Sequence, residues 1–277
     1  MKKQSLSMIG KSGLAAGIIG LVLAYAAQAG VPLNNLEGVG GVAFNPLAYP
    51  SGQNKAKDAD FPLSKGQFGA WYVNLGDKDV EWTAFGVSDT LFDRLEVSYG
   101  YEYVGAGKNI DKHNIGAKLN LVTENAGDTA WVPAISVGSI WKQTSEVATN
   151  VDDSAFDFYA VATKLITQGP IPLLVSVGTL ATKEKVTGVF GYDDDYALTG
   201  FANLDVIPLS FLALGIEYKQ GAHFSDFKNA SYFDLHAAWF ANKNLTLVAA
   251  YVNAGDSEST SEVGLGDGLV LSAQYAF

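Results

Sequence analysis

The last ten residues, GLVLSAQYAF from Gly268 to Phe277, alternate strictly between two kinds of side chain. Larger apolar and aromatic side chains occupy the odd positions, and smaller or more polar ones the even positions. A two-residue period is that of a β-strand whose faces meet different surroundings. The pattern predicts a strand with one face against an oily medium and the other against a wetter one.

This ending resembles the C-terminal assembly signal of Gram-negative outer-membrane β-barrels, with a final Phe277 and an aromatic Tyr275 two residues before it. The alternative is an edge strand of a soluble β-sandwich. A free sheet edge with this composition would be an aggregation hazard, so the strand favours a closed barrel.

The N-terminus predicts a secretory signal peptide over residues 1–29. Lys2, Lys3 and Lys11 precede an apolar run from Gly13 to Ala27, and Ala27-Gln28-Ala29 has the form of a cleavage site. A transmembrane anchor would need about twenty apolar residues. The remaining chain contains no apolar run of that length.

Composition excludes several classes of function. The chain has no cysteine, hence no disulfide, thiolate metal site or cysteine nucleophile. Its formal net charge of −11 disfavours nucleic-acid binding, which needs clustered Lys and Arg. Since 48% of the residues are hydrophobic without a helical pattern, the chain must form either a sandwich or a lipid-exposed barrel.

Residues 67–277 are predicted to form an all-β, transmembrane antiparallel barrel of about twelve strands. The candidate strands are 67–75, 79–88, 94–104, 112–123, 130–142, 155–167, 171–183, 195–206, 209–219, 230–240, 245–253 and 268–277. Residues 30–66 are rich in Gly, Pro and Asn and lack alternation, so they are expected to be irregular. They could plug the barrel or extend into the periplasm.

The predicted connections alternate between short turns and longer loops, as expected for short periplasmic turns and long external loops. Short turns are expected near 89–93, 125–128, 168–170, 207–208 and 242–244, and longer loops near 105–111, 143–154, 184–194, 220–229 and 254–267. The first hairpin, at 76–78, is a short exception.

Aromatic residues on the predicted outer face fit an interfacial girdle, although core packing is the alternative. They are Tyr101, Tyr103, Trp131, Trp141, Tyr159, Tyr218, Trp239, Tyr251, Tyr275 and Phe277.

The predicted inner face carries charges that are either structural ion pairs or a graded pore lining. The lumen-lining candidates are Arg94, Glu96, Glu102, Lys118, Lys164, Asp205, Glu217, Asp234 and His236. Arg94 is the only arginine, and Glu96 is its expected partner because it lies two residues further along the same face.

The predicted external loops are strongly acidic, which would concentrate cations at the outer mouth. Their main residues are Asp152, Asp153, Asp193, Asp194, Asp195, Asp256 and Glu258. Simple solvated charge is the alternative to bridging divalent cations, and no calcium-binding spacing is present.

Catalysis finds little support in the sequence. His236 lies two residues from Asp234, a pair that could orient a base, but no serine occupies a nucleophile-elbow motif. A lipid-active enzyme would need its histidine on the lipid-facing side, and His236 is predicted to face inward. Neither a cofactor nor a resident metal is expected.

Several segments resemble a family of uncharacterised proteobacterial outer-membrane proteins, known as a domain of unknown function. They are NLEGVGGVAFNPLA, LFDRLEVSYGYEY, DFYAVATKL, ALGIEYK and FDLHAAWFANKNLTLVAAY. The resemblance implies a secreted barrel and names neither substrate nor catalytic residue.

The sequence therefore predicts a Gram-negative outer-membrane barrel, with a small-solute, cation-preferring channel as the leading function. A non-conducting structural or surface-interaction barrel is the alternative. The expected partners are membrane lipid and lipopolysaccharide, and the barrel-assembly machinery through β-strand 268–277.

Overall fold

Alternation of side chains along the sequence produces twelve β-strands in the computed structural model, which describes residues 33–52, 64–76, 79–255 and 261–277. The strands are β1 (Gln67–Leu75), β2 (Val80–Leu91), β3 (Leu95–Gly105), β4 (Asn109–Val122), β5 (Ala134–Thr144), β6 (Ser154–Ile166), β7 (Leu173–Glu184), β8 (Tyr192–Leu209), β9 (Leu212–Lys219), β10 (Tyr232–Phe240), β11 (Leu245–Asn253) and β12 (Asp267–Ala276). A short 3₁₀ turn lies at Ala126–Asp128.

The strands form one closed barrel in which every neighbour is antiparallel. The final strand closes it, since β12 pairs with both β11 and β1, with Phe68 opposite Tyr275. Closure pairs the backbone of every strand on both sides and leaves no sheet edge. The prediction of a twelve-stranded antiparallel barrel is confirmed, and the sandwich alternative is excluded.

The outer face of the barrel is apolar. Along β12, Leu269 and Leu271 are 63% and 55% exposed, whereas Val270 and Gln274 are each 1% exposed. The same contrast recurs around the barrel, and an apolar surface of this extent is characteristic of contact with lipid. Among the described residues, no helix is both long and apolar enough to cross a membrane.

The predicted outward position of Tyr159 is wrong. Phe156 and Phe158 are the exposed aromatics of β6, and Tyr159 is buried on the inner face. Its ring fills the space left by Gly138 on β5, where an added Cβ would lie 2.3 Å from the Tyr159 ring. In β6, aromatic residues occupy both even and odd positions, so the sequence pattern does not show which set faces outward. A shift of one residue reverses every face assignment along a strand.

Two of the predicted connections differ from the structure. The β3–β4 link is only 106–108, because the ladder continues to Gly105 opposite Asn109 and Ile110 continues the buried face. The β4–β5 link is longer than predicted, since β5 begins after Pro133, which lacks the N–H needed for a ladder. The remaining long links lie at one end of the barrel, called here the loop end. They are 145–153, 185–191, 220–231 and 254–266.

Residues 33–52, called here the inner segment, lie inside the barrel. They form isolated bridges, Asn34–Gly40 and Gly41–Pro46, and no strand. Asn34 contacts Gln67, Ser88 and Gln274 at the end opposite the loops, called here the turn end. Ser51 returns to that end, where its carbonyl accepts a hydrogen bond from Thr90. The segment therefore enters and leaves the described barrel at the turn end.

A row of glycines lets the inner segment approach the barrel wall. Gly69, Gly86 and Gly100 lie in register across β1, β2 and β3, all facing inward. An added Cβ at Gly86 would lie 2.5 Å from Cα of Gly38, and one at Gly100 would lie 2.3 Å from the Glu37 carbonyl oxygen. Gly38 itself has a φ of +85° and lies against the β3 backbone.

We predict that Gly100→Ala destabilises the barrel by about 1–3 kcal/mol, because the added methyl overlaps the Glu37 backbone. The control is Gly200→Ala, where the atom nearest to an added Cβ, Oε1 of Gln220, is 3.7 Å away. Urea unfolding in lipid vesicles measures both. Equal stabilities for the two variants would show that the inner segment does not press against this wall.

Candidate functional site

The inner segment is clasped by charged side chains of the barrel wall, beginning with Glu96 on β3. The two carboxylate oxygens of Glu96 accept the N–H groups of Gly40, at 2.9 Å, and Ser51, at 2.7 Å. Lys118 on β4 lies 2.8 Å from the same carboxylate and donates to the Gly40 carbonyl at 2.9 Å. One buried ion pair thus binds both limbs of the segment.

A second buried carboxylate, Glu217 on β9, binds the turn of the inner segment. Oε2 accepts the N–H groups of Ala43, at 2.7 Å, and Phe44, at 3.1 Å. Oε1 accepts the N–H of Asn45, at 3.1 Å, and Nδ2 of Asn203, at 2.9 Å. Four donors offset the loss of water that burial imposes on this group.

A third contact anchors the returning limb. The N–H of Ala48 donates to Oγ1 of Thr163 at 2.8 Å, and its carbonyl accepts Oγ of Ser136 at 2.6 Å. Next to it, burial, followed by the negative charge of Glu124, raises the pKa of the Tyr49 phenol. The backbone of the segment is therefore held by side chains from β3, β4, β5, β6 and β9.

Lys142 on β5 is the centre of a buried charge cluster. Its Nζ lies 2.5 Å from Glu37, 2.8 Å from Asp157 and 2.8 Å from Glu184. Sequence reasoning missed Lys142 and Asp157 and placed Glu184 in an external loop. That placement is wrong, because β7 extends to Glu184, and this residue is 2% exposed on the inner face.

Most of the predicted lumen residues lie on the inner face. Those that the structure places there are Glu96, Glu102, Lys118, Asp205, Glu217, Asp234 and His236. Glu102 forms a 3.0 Å ion pair with Lys112, directly opposite on β4.

Arg94 and Lys164 do not line the lumen, contrary to prediction. Arg94 is exposed in the turn between β2 and β3, and the partner of Glu96 is Lys118. Lys164 lies on the outer face of β6, because the face assignment that was wrong for Tyr159 was also wrong for Lys164. It binds Glu124 at 3.1 Å and Asn125 at 2.5 Å. The Arg94–Glu96 pairing is therefore replaced by a cross-strand Lys118–Glu96 pair.

His236 bridges two buried carboxylates. Nδ1 lies 2.7 Å from Asp234 and Nε2 lies 2.8 Å from Asp205. Glu217, Asp234 and His236 could each offer one metal-ligand atom, all within 4.8 Å. Both Glu217 oxygens already accept hydrogen bonds, and both His236 nitrogens already bind a carboxylate. An ion would therefore have to displace the inner segment from Glu217 and an aspartate from His236. The geometry is better suited to holding that segment.

The acidic residues predicted for the loops lie at the loop end where the structure describes them. Asp152 and Asp153 belong to the link 145–153, whereas Asp193, Asp194 and Asp195 lie in β8, so their predicted placement in a loop is wrong. Asp152, Asp153, Asp194 and Asp195 are exposed, and Asp193 forms a 3.0 Å ion pair with Lys185. Asp256 and Glu258 lie outside the described residues.

Together, a closed barrel of twelve strands, an apolar outer face and a charged interior define an outer-membrane β-barrel. Residues 30–274 match the family described as protein of unknown function (DUF3034), and the chain belongs to this family. The resemblance found in the sequence is thereby confirmed. No curated protein matches the chain.

Solved outer-membrane proteins share the fold. The KdgM porin superposes with a TM-score of 0.53 at 12% identity, covering 76% of this chain and 99% of the porin. The COG4313 outer membrane channel from Pseudomonas putida F1 gives 0.52 at 13% identity, covering 85% and 100%. At these identities the likeness concerns the fold alone.

We predict that Lys142→Met destabilises the barrel by about 3–5 kcal/mol, because it leaves Glu37, Asp157 and Glu184 buried without their cation. Lys164→Met is the control at the edge of the barrel and should cost clearly less than Lys142→Met, because it leaves one partly solvated carboxylate, Glu124, without its cation rather than three buried ones. Denaturant titrations of the folded barrels measure both. A small loss for Lys142→Met would mean that the cluster does not support the fold.

Proposed function

We propose that this protein is an outer-membrane channel for small solutes whose lumen is closed by residues 33–52. One observation carries the proposal: charged and polar wall side chains hold the inner segment, chiefly Glu96, Lys118 and Glu217. Polar interiors are typical of barrels that contain water. When the inner segment leaves, these groups can be hydrated rather than stranded in an apolar core.

The route of the inner segment also suits displacement. Both of its ends lie at the turn end, and its bridges connect it to itself rather than to a barrel strand. Its withdrawal would leave every strand pair intact. We therefore propose that opening moves the inner segment toward the turn end, which is the periplasmic side if the long loops are external.

Exposed acidic residues at the loop end support a preference for cations at the outer mouth. Asp152, Asp153, Asp194 and Asp195 are exposed at the same end. Their field would raise the local cation concentration within about a Debye length, ~8 Å at physiological salt. Divalent cations bound there could bridge to lipopolysaccharide.

We also propose that the barrel-assembly machinery recognises β12.

A non-conducting structural or surface-interaction barrel is the second candidate, favoured by the buried Lys142 cluster. Lys142 binds Glu37 of the inner segment together with two wall carboxylates, and such a contact resists opening. A lipid-active enzyme receives no support from His236, which is buried on the inner face between Asp205 and Asp234.

Single-channel recording in planar bilayers tests the proposal. We expect the full chain to be closed with rare openings, and Gly100→Ala to open more often because it crowds Glu37. Gly200→Ala should behave like the natural sequence. Deletion of residues 33–52 should give steady conductance. Silence in all variants, with folding verified by circular dichroism, would support the non-conducting candidate.

Ion selectivity tests the role of the exposed acidic residues at the loop end. Replacing Asp152, Asp153, Asp194 and Asp195 with Asn should lower the cation-to-anion permeability ratio several-fold, because four exposed charges leave the mouth. The reversal potential in a KCl gradient measures this ratio. The effect should shrink in 1 M salt, where the Debye length is about 3 Å. An unchanged ratio at low salt would exclude these four carboxylates as the source of selectivity.

A further inference from the structure

Three carboxylates and one imidazole meet on the inner face of β8, β9 and β10. Glu217 on β9 lies opposite Asp234 on β10, and His236 lies opposite Gly215 of β9, which in turn lies opposite Asp205 on β8. A Cβ added to Gly215 would overlap both His236 and Asp205, so the missing side chain lets these two meet across β9. The four polar groups therefore stand on three adjacent strands of a closed sheet.

This cluster has more negative charge than its surroundings neutralise. Both nitrogens of His236 contact carboxylate oxygens, which only accept, so both nitrogens donate and the ring is positively charged. Asp205, Asp234 and Glu217 oppose that one positive charge with three negative ones. The buried lysines of the described wall pair with other carboxylates: Lys112 with Glu102, Lys118 with Glu96, and Lys142 with Glu37, Asp157 and Glu184. An excess of negative charge therefore remains at the cluster.

Two carboxylate oxygens of the cluster have no hydrogen-bond partner among the described residues. They are Oδ2 of Asp205 and Oδ2 of Asp234, in residues that are 4% and 0% exposed. A water molecule could donate to either oxygen, but it would leave the excess charge unchanged. A cation would satisfy the oxygens and offset the charge together.

Glu217 is the member of the cluster whose partners change when the inner segment leaves. Three of its four donors are the N–H groups of Ala43, Phe44 and Asn45 in that segment. Only the fourth donor, Asn203, belongs to the wall. The inner segment and a cation therefore compete for the same carboxylate, and withdrawal of the segment leaves Glu217 to the cation.

We propose that a divalent transition-metal ion of the Zn²⁺ type binds Glu217, Asp234 and His236 once the inner segment leaves Glu217. These side chains can each offer one ligand atom, all within 4.8 Å of one another. Two ligands of one Zn²⁺ lie up to about 4.4 Å apart, so small side-chain rotations complete the site. Imidazole together with carboxylates suits first-row transition metals, whereas Mg²⁺ and Ca²⁺ prefer oxygen ligands alone.

Asp205 has a positioning role in the occupied site. Asp234 exchanges Nδ1 of His236 for the ion, and the proton of Nδ1 passes to water in the opened lumen. Asp205 keeps its 2.8 Å contact with Nε2. A carboxylate on the far nitrogen of a metal-bound histidine fixes the orientation of the ring and typically contributes about 10–100-fold in metal affinity.

The ion favours the opened barrel, and this consequence rests on the proposed channel function. A ligand that binds only one of two states shifts the equilibrium toward that state. At ten times its dissociation constant for the opened barrel, the ion raises the ratio of opened to closed barrels about elevenfold. Binding itself requires only that the segment releases Glu217, whether or not the barrel conducts.

Equilibrium dialysis of radioactive Zn²⁺ against the full refolded chain in detergent tests the site. We expect one saturable Zn²⁺ per barrel that excess Mg²⁺ does not displace. His236→Asn should weaken its binding at least tenfold, whereas His223→Asn, which changes an exposed histidine of the link 220–231, should leave it unchanged. Asp234→Asn is the second variant, should His236→Asn fail to fold, and it should weaken binding about tenfold.

Hydrogen exchange tests the competition with the inner segment. Zn²⁺ should speed exchange of the amides of Ala43, Phe44 and Asn45, compared with the same concentration of Mg²⁺, and His236→Asn should abolish this effect. The proposal is overturned if Zn²⁺ binds no more tightly than Mg²⁺, if neither variant changes the affinity, or if the bound ion leaves these amides protected. Each of those results would assign the excess charge to a proton shared within the cluster.

Bilayer recording separates this proposal from the channel proposal. Zn²⁺ should raise the open probability of the full chain several-fold and leave that of His236→Asn unchanged. Faster exchange with Zn²⁺, but no conductance in any variant, would contradict the channel and support the site. Conductance that responds equally to Zn²⁺ and Mg²⁺ would support the channel and overturn control by this site.

Discussion

Two buried carboxylates hold the interior of this barrel together. Glu96 and Glu217 stand on β3 and β9, and each accepts backbone N–H groups from the inner segment. An isolated carboxylate would be very costly to bury, so each needs the donors that the segment supplies. The segment needs them equally, because it has no strand ladder to satisfy its own N–H groups. The wall and the segment are therefore mutually dependent.

That dependence links fold to function. A closed barrel satisfies its own backbone, so the segment is not required to complete the sheet. The segment instead fills the barrel interior. The wall side chains that face it are charged at mid-depth and apolar at the loop end. The glycines of β2 and β3 bring its backbone against that wall. The proposed channel would open by exchanging these contacts for water.

The sequence predicts the barrel well because its strands carry the information locally. Strict alternation in β3 and β12 shows which face of each strand is outward. In β3 the even-numbered positions, which include Glu96 and Glu102, therefore face inward. It fails in β6, where Phe156, Phe158 and Tyr159 offer aromatics on both phases. The prediction missed Glu184 because it ended β7 one residue too early. Its partner Lys142 could have been found, since an outward Trp141 requires an inward Lys142.

The position of the inner segment could not be predicted in the same way. Residues 33–52 have no period, and their contacts reach Glu96, Lys142 and Glu217, which are remote in sequence. No local pattern encodes such partners. The row formed by Gly69, Gly86 and Gly100 is visible in the sequence only as scattered glycines, and it becomes a docking surface once strand register aligns them.

Hydrogen exchange of the inner segment, followed by mass spectrometry on the folded full chain, tests the central claim most directly. The account predicts that the amides of Gly40, Ala43, Ala48 and Ser51 exchange slowly, because each donates to a buried wall oxygen. Glu217→Gln should speed exchange around Ala43 more than around Ser51. Exchange of the whole segment at the rate of an unstructured peptide would contradict the account and place residues 33–52 outside the barrel.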